Sequence, residues 1–417
     1  MNTSRKEFLK TITAGSSLSA LSFFTPLDSF FKEDLRTTFR DGSLPQKSDY
    51  SIGQDISYLN HGSIGTIPKI VQEAHRDYLE MCETNPWFYM WSGEWEEPRE
   101  KVRNKVANYI NADTSEISFP HNTTEIFNLL ALGLPLGTGD EVVFCNFNHA
   151  GAAIPFQVHS KTRGYNVKIF DIPSDNLPSI TKEDILKLYD DNITSKTKLV
   201  VMPHIDNTFG IRQPVKEITA LARSKGVQYV ALDTAQTMGM IPIDVKELDI
   251  DVIGTSAHKW IQTPKGVSIA YFSKRIQDQI NPMWVTWGQE RWKDSARKFE
   301  DYGTRNLLEV LTLGHSVDFQ SAIDEDAKAT HLKGLWSHAK KLADQNPNTS
   351  WRSPGSWDLS GSLFVIGLKD SKPSEIAHLL FTELGYVVRP FDNFSTIRIS
   401  PNIFNTKEEI TGLIQAI

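Results

Sequence analysis

The sequence predicts an α/β protein: a large domain on a mainly parallel sheet, then a smaller α+β domain at the carboxyl end. Three observations carry that prediction. From Tyr50 onward, short apolar runs alternate with longer amphipathic stretches, the pattern of strands joined by crossover helices. After about residue 310 this alternation gives way to a long helical stretch and then closely spaced strands. The length of 417 residues also exceeds what one core usually serves, at roughly 100 to 200 residues per domain.

In chain order, the expected strands of the large domain are Glu141 to Cys145, Val167 to Phe170, Lys198 to Met202, Val227 to Leu232, Val252 to Thr255 and Val267 to Phe272. Most are near-continuous apolar runs, as strands covered on both faces require. Helices are expected between them, for example Pro214 to Lys225, which opens on proline and closes before Gly226. The smaller domain is expected to hold a long helix, strand Leu363 to Gly367, helix Pro373 to Leu384, strands Tyr386 to Arg389 and Thr396 to Ser400, and a helix from Thr406. The domains therefore read as 49–309, including an N-terminal arm, and 310–417. No internal repeat or low-complexity tract is present.

Hydrophobic residues at 40% and charged residues at 23% match a soluble globular body and exclude a disordered or collagenous chain. A net charge of -7 offers polyanions no long-range attraction, which argues against nucleic acid as a partner. With only Cys82 and Cys145, the chain has neither a disulfide framework nor a metal motif. At the amino terminus, Arg5, Lys6 and Lys10 precede an uncharged stretch from Thr11 to Thr25 that ends at Pro26. That is the layout of an export signal. It resembles the twin-arginine type, with Lys6 in place of the second arginine and no clear A-x-A cleavage site. Residues 1–25 are thus expected to direct the chain to the periplasm, with 26–48 as a linker; without export the protein is cytoplasmic. The apolar run falls short of the roughly 20 residues that span a bilayer, so no membrane insertion of the mature chain is expected.

The motif richest in chemistry is Asp233-Thr234-Ala235-Gln236, directly after a strand, followed by Ser256-Ala257-His258-Lys259-Trp260 after the next. Ligands of α/β sheets gather at the carboxyl ends of strands, so Asp233 and Lys259 are candidates for one crevice. A carboxylate can hold a pyridine nitrogen protonated, and an amine kept neutral by desolvation can form a Schiff base with an aldehyde; pyridoxal phosphate needs both. The same pair also fits an ordinary ion pair. Asn122-Thr123-Thr124-Glu125 opens an apolar helix, where backbone N–H groups and hydroxyls suit a phosphate, or simple capping. His149 follows the strand ending at Cys145 and can stack on a flat ring or lie in solvent. Arg398 alternates with apolar neighbours on a short strand, where a guanidinium can clamp a carboxylate or point outward.

Six ordered motifs carry a family resemblance: Tyr58-Leu59-Asn60-His61-Gly62-Ser63-Ile64-Gly65, Asn122 to Glu125, Asp233 to Gln236, Ser256 to Trp260, Tyr302-Gly303-Thr304-Arg305 and Arg398 to Thr406. Together they resemble the class V aminotransferases, in particular the isopenicillin N epimerase-like branch. The resemblance implies a fold-type I pyridoxal phosphate enzyme with a seven-stranded type of sheet, acting on a small amino-acid-like substrate. It implies that Lys259 forms the Schiff base, Asp233 pairs with the pyridine nitrogen, Gln236 bonds the ring hydroxyl and His149 stacks on the ring. Thr123, Thr124, Ser256 and His258 would hold the phosphate; Arg398 would receive the substrate carboxylate, with Asn60 and His61 beside the substrate. Thr304 would approach the neighbouring subunit's phosphate, which implies a homodimer. Asn402 and Phe404 stand where relatives often carry His and Tyr, so the surroundings of Arg398 are open to change. Trp284, Trp287 and Trp292 fit a substrate mouth, a core or a dimer interface, and Trp87, Trp91 and Trp95 form a helical stripe.

Within the family, cysteine desulfurases attack sulfur with a mobile-loop cysteine shortly before the C-terminal arginine. Here the stretch from Gly385 to Ile397 holds no cysteine, which argues against persulfide transfer. The remaining reactions move a proton at the α-carbon. Aminotransferase or epimerase action ranks first on the resemblance; a carbon-sulfur lyase, or a retired enzyme that only binds, is the alternative.

Overall fold

The computed structural model describes residues 42–417, so the expected export segment and the linker as far as residue 41 lie outside the described residues. Its strands are β1 (Ser57–Tyr58), β2 (Ile117–Ser118), β3 (Glu141–Cys145), β4 (Asn166–Phe170), β5 (Thr197–Pro203), β6 (Tyr229–Asp233), β7 (Val252–Gly254), β8 (Ala270–Phe272), β9 (Thr349–Trp351), β10 (Phe364–Leu368), β11 (Tyr386–Val387), β12 (Arg389–Phe391) and β13 (Thr396–Ile399). Seven of them form one sheet in the order β2-β8-β7-β6-β5-β3-β4. From β4 through β7 every pairing is parallel, while β8 runs antiparallel to both β7 and β2. The protein is thus α/β, with the mainly parallel sheet that the sequence predicts.

Side chains alternate between two cores. Val143, Cys145, Val200, Met202, Val230 and Leu232 pack on one side of the sheet, and Val142, Phe144, Leu199, Val201, Tyr229 and Ala231 on the other. Burial on both faces explains why these strands read as continuous apolar runs. The run from Val227 enters the sheet only at Tyr229, because Val227 N–H still bonds the Ala222 carbonyl at 3.0 Å behind the positive-φ Gly226.

The smaller sheet is antiparallel, in the order β12-β13-β10-β9. It is covered by apolar residues of helices Glu325–Gln345, Pro373–Leu384 and Lys407–Gln415. The single strand expected over Tyr386 to Arg389 is two: β11 pairs with β1, and β12 turns to β13. The long helix is likewise divided, into Leu307–Ala322 and Glu325–Gln345, with Asp324 capping the second through Ala327 N–H. The boundary expected at 309/310 falls inside the first of these. The N-terminal arm joins the smaller domain beside that sheet, through the two-stranded pair β1-β11 and the isolated Asn60–Ser400 bridge. Among the described residues no helix is long and apolar enough to cross a membrane.

Candidate active site

Four of the predicted residues, His149, Asp233, Gln236 and Lys259, line one narrow cleft together with Pro203, Ile205, Asn207 and Ala235. The topology explains their convergence. Asp233 is the last residue of β6, Lys259 follows β7, His149 follows β3, and the Pro203–Asn207 segment leaves β5, all at the carboxyl ends of parallel strands.

Asp233 is buried, and its Oδ1 accepts from Ala235 N–H at 2.9 Å. Burial pushes its carboxyl up, opposed by the Ala235 N–H and by the neighbouring His149 and Lys259. Desolvation lowers the Lys259 ammonium to about 8, partly offset by Asp233. Gly65 holds this segment: its N–H bonds the His258 carbonyl at 2.9 Å, and a Cβ at Gly65 would sit 1.9 Å from the Lys259 carbonyl oxygen. Gln236 is fixed by Trp260. The indole N–H donates to Gln236 Oε1 at 3.0 Å, which settles the amide orientation, and Nε2 donates to the Gly62 carbonyl at 2.8 Å with its second N–H left over. His149 Nδ1 accepts from Gly151 N–H at 3.1 Å, so the neutral ring carries its proton on Nε2. Burial keeps it neutral by lowering its pKa.

Thr123 begins helix Thr123–Gly133, with Asn122 as its cap. Its hydroxyl lies 2.7 Å from that of Ser256. Thr124 is drawn to His149 through Gly151, where an added Cβ would meet Thr124 Oγ1 at 2.5 Å and His149 Nδ1 at 3.2 Å. His258 is half-buried, its imidazole lowered to about 4 by desolvation. Hydroxyls, helix N–H groups, a buried carboxylate and a desolvated amine are a donor set that fits pyridoxal phosphate.

Arg398 is 3% exposed and forms no ion pair with a carboxylate among the described residues. Nη1 donates to the Asn207 carbonyl at 2.7 Å, and Nη2 to Asn60 Oδ1 at 3.0 Å and Ser63 Oγ at 2.6 Å. Burial, then Arg389, lowers its pKa to about 10. Behind Asn207, Asp206 is fully buried and takes N–H groups from Thr208, Phe209 and Ile211, which holds the loop in shape. The arm and the β5 loop thus cage a cation with neutral groups, the arrangement that suits an anionic ligand.

Two predicted residues lie elsewhere. The His61 ring is fully buried against Tyr58, Trp260 and Phe404 and bonds Thr66, and burial lowers its pKa to about 3. Thr304 is exposed on a separate cavity of about 650 Å³, whose wall includes Trp91, Trp95, Trp287 and Trp292. Asn402 and Phe404 are buried, and neither hydrogen-bonds Arg398. Sequence reasoning missed Ser63, Asn207, Asp206 and Trp260 as contributors. Ser63 and Trp260 stood inside quoted motifs, and Asn207 was detectable as a polar residue just past a strand's carboxyl end.

The family model for Aminotransferase class-V matches residues 57–413. The chain belongs to this family. As a class V member it is a pyridoxal phosphate-dependent enzyme. It is 26% identical to a probable cysteine desulfurase of Methanothermobacter thermautotrophicus, over 87% of this chain and 94% of the relative. It is 24% identical to the isopenicillin N epimerase of Streptomyces clavuligerus, over 86% and 93%. Among solved structures, a cystine C-S lyase in complex with its product cysteine persulfide superposes with a TM-score of 0.78 at 21% identity, covering 86% of this chain and 96% of that one. Such a likeness shows the shared fold. Further relatives at 25 to 28% identity are named cysteine desulfurase or probable cysteine desulfurase.

The lowered Lys259 pKa has a testable sign. Only the neutral amine captures an aldehyde, so below pH 8 the rate at which apoprotein takes up the cofactor covalently should rise about tenfold per pH unit, levelling above it. Stopped-flow absorbance of the cofactor reads this directly; a flat profile from pH 6 to 9 contradicts the assignment.

Proposed function

We propose that the protein is a carbon-sulfur lyase that cleaves a sulfur-bearing amino acid by elimination, without a persulfide on its own thiols. The placement of the cysteines supports this reading over a desulfurase. Cys82 and Cys145 are both buried, and burial pushes the Cys145 thiol up to about 12. Persulfide transfer needs an accessible thiolate. The stretch Gly385–Ile397, next to Arg398, supplies none. In an elimination the sulfur departs on the leaving group, so no protein thiol is required.

Bound pyridoxal phosphate supplies an electron sink for a carbanion at the substrate α-carbon. The chain's own residues do the rest in this reading. Arg398 holds the α-carboxylate, and neutral Lys259 takes the α-proton. The released electron pair forms the Cα–Cβ double bond as Cβ–S breaks, and sulfur leaves with the bonding pair and gains a proton. Water then hydrolyses the enamine to a 2-oxo acid and ammonia. Asp233 would keep a proton on the pyridine nitrogen, and His149 would cover the ring. Thr123, Thr124, Ser256 and His258 would hold the phosphate, and the spare Gln236 N–H would be available to the ring oxygen.

Incubation with S-substituted cysteines in deuterated water distinguishes the reactions. Pyruvate with a released thiol or persulfide is the expected result; inversion with α-deuteration and no pyruvate identifies an epimerase, and dependence on a keto-acid acceptor an aminotransferase. Asp233→Ala should lower turnover by about 10²- to 10³-fold while leaving the melting temperature nearly unchanged, as activity and thermal scans at saturating cofactor would show.

We also propose that a second copy of this chain covers the Thr304 face. Exposed Trp91 and Trp287, at 64% and 79%, line the same cavity as Thr304 and give this face an apolar surface. Sedimentation should give a dimer that Trp287→Asp dissociates; a wild-type monomer at micromolar concentration would refute this.

A further inference from the structure

We propose that Arg389 and Arg398 form a two-cation receptor, so that the substrate carries a second carboxylate on its side chain. The inference rests on the amino-acid reading above and adds a substrate class to it. The two arginines are direct partners across the antiparallel strands β12 and β13. Both side chains therefore rise from the same face of the sheet. Their guanidinium carbons each lie 5.8 Å from the centre of the Phe391 ring, so the two cations flank one aromatic surface.

Like charges directly opposite on paired strands weaken the sheet, and no ion pair among the described residues offsets the repulsion. The acid that most offsets the Arg398 charge is Asp206, whose oxygens are already taken by three backbone N–H groups. Arg398 is buried in neutral acceptors, whereas Arg389 is exposed at its side. A ligand with one carboxylate would neutralise Arg398 alone. One with two would neutralise both, the α-carboxylate on Arg398 and the distal one on Arg389, with the apolar chain between them along Phe391. Arg389 is thus a specificity-determining residue.

Two thioethers isolate the second charge: S-(2-carboxyethyl)-L-cysteine and its neutral, near-isosteric amide S-(2-carbamoylethyl)-L-cysteine. Titrated into the holoenzyme and read by the change in the cofactor's visible absorbance, the acid should bind about tenfold or more tightly than the amide. The preference should shrink as salt rises. Arg389→Gln should collapse the ratio to about one, and Arg389→Lys should keep part of it. Equal affinities in the wild type, or a ratio that Arg389→Gln does not move, would overturn the inference. Arg398→Gln should weaken both thioethers alike, which tests the underlying reading separately. If the wild-type enzyme responds to neither compound, the amino-acid reading falls and the inference with it.

Discussion

Lys259→Ala should lower turnover by about four orders of magnitude and leave the protein folded. Three features predict so large a loss. Desolvation lowers the amine to about 8, so its neutral fraction near pH 7 to 8 is far larger than a free lysine's, both for capturing the cofactor and for taking a proton. It shares one cleft with Asp233 and His149, which leaves the α-proton no second lysine there to receive it. Its backbone is locked by the Gly65 N–H to the preceding carbonyl, so the side chain is lost without moving the loop. Borohydride reduction and mass spectrometry should find the cofactor on Lys259 in the wild type and nowhere in the variant. Turnover within tenfold of wild type would remove Lys259 from the mechanism.

Glu300→Ala should destabilise the fold by about 3 kcal/mol, because it strips the buried partner from a buried cation and leaves it only the partly exposed Glu100, at 3.2 Å from Nε. Arg103 is 1% exposed and meets Glu300 through both terminal nitrogens, at 3.0 and 2.7 Å. Glu300 Oε2 also accepts from Phe119 N–H, and Arg103 donates to the Ile117 carbonyl, so the pair ties the segment before Thr304 to β2. Burial pushes the Glu300 carboxyl up, but Arg103, with Arg305 and Arg99, more than reverses this and holds it below the usual range. Its contribution is therefore complete above the ordinary glutamate pKa and is lost as pH falls through the depressed value. Urea unfolding at pH 7 measures the loss. The double variant Arg103→Met, Glu300→Leu should recover only part of it, since the Phe119 N–H then has no acceptor. A change below 1 kcal/mol in the single variant would contradict this account.

Much of the large domain was legible because its signals are local. Apolar runs marked β3 and β5 to β7 within a few residues, since these inner strands are buried on both faces and must be largely apolar, whereas the edge strand β4 is mostly open to solvent. The rule that ligands gather where parallel strands end made Asp233 and Lys259 candidates for one crevice, and the family resemblance added His149; the cleft holds all three. Helix punctuation worked equally well at Pro373–Leu384, which begins on its proline and ends at the left-handed Gly385. The antiparallel turn of β8 was not legible, because strand direction leaves no mark in a short apolar run.

By itself, then, the sequence determined the fold class, the cleft at the strand ends and the residues with chemistry to offer there. Only the tertiary structure decided their company. Arg398 finds Asn60 across 338 residues and the Asn207 carbonyl across 191. It does so because β1 reaches over to β11 and the arm follows on to Ser400. The same folding turned the ring of His61 into an aromatic core while its neighbours Asn60 and Ser63 met the guanidinium. Periodicity, capping and turns depend on neighbours within a few positions, whereas partners separated by hundreds of residues are set by strand order and loop packing, which no local pattern records.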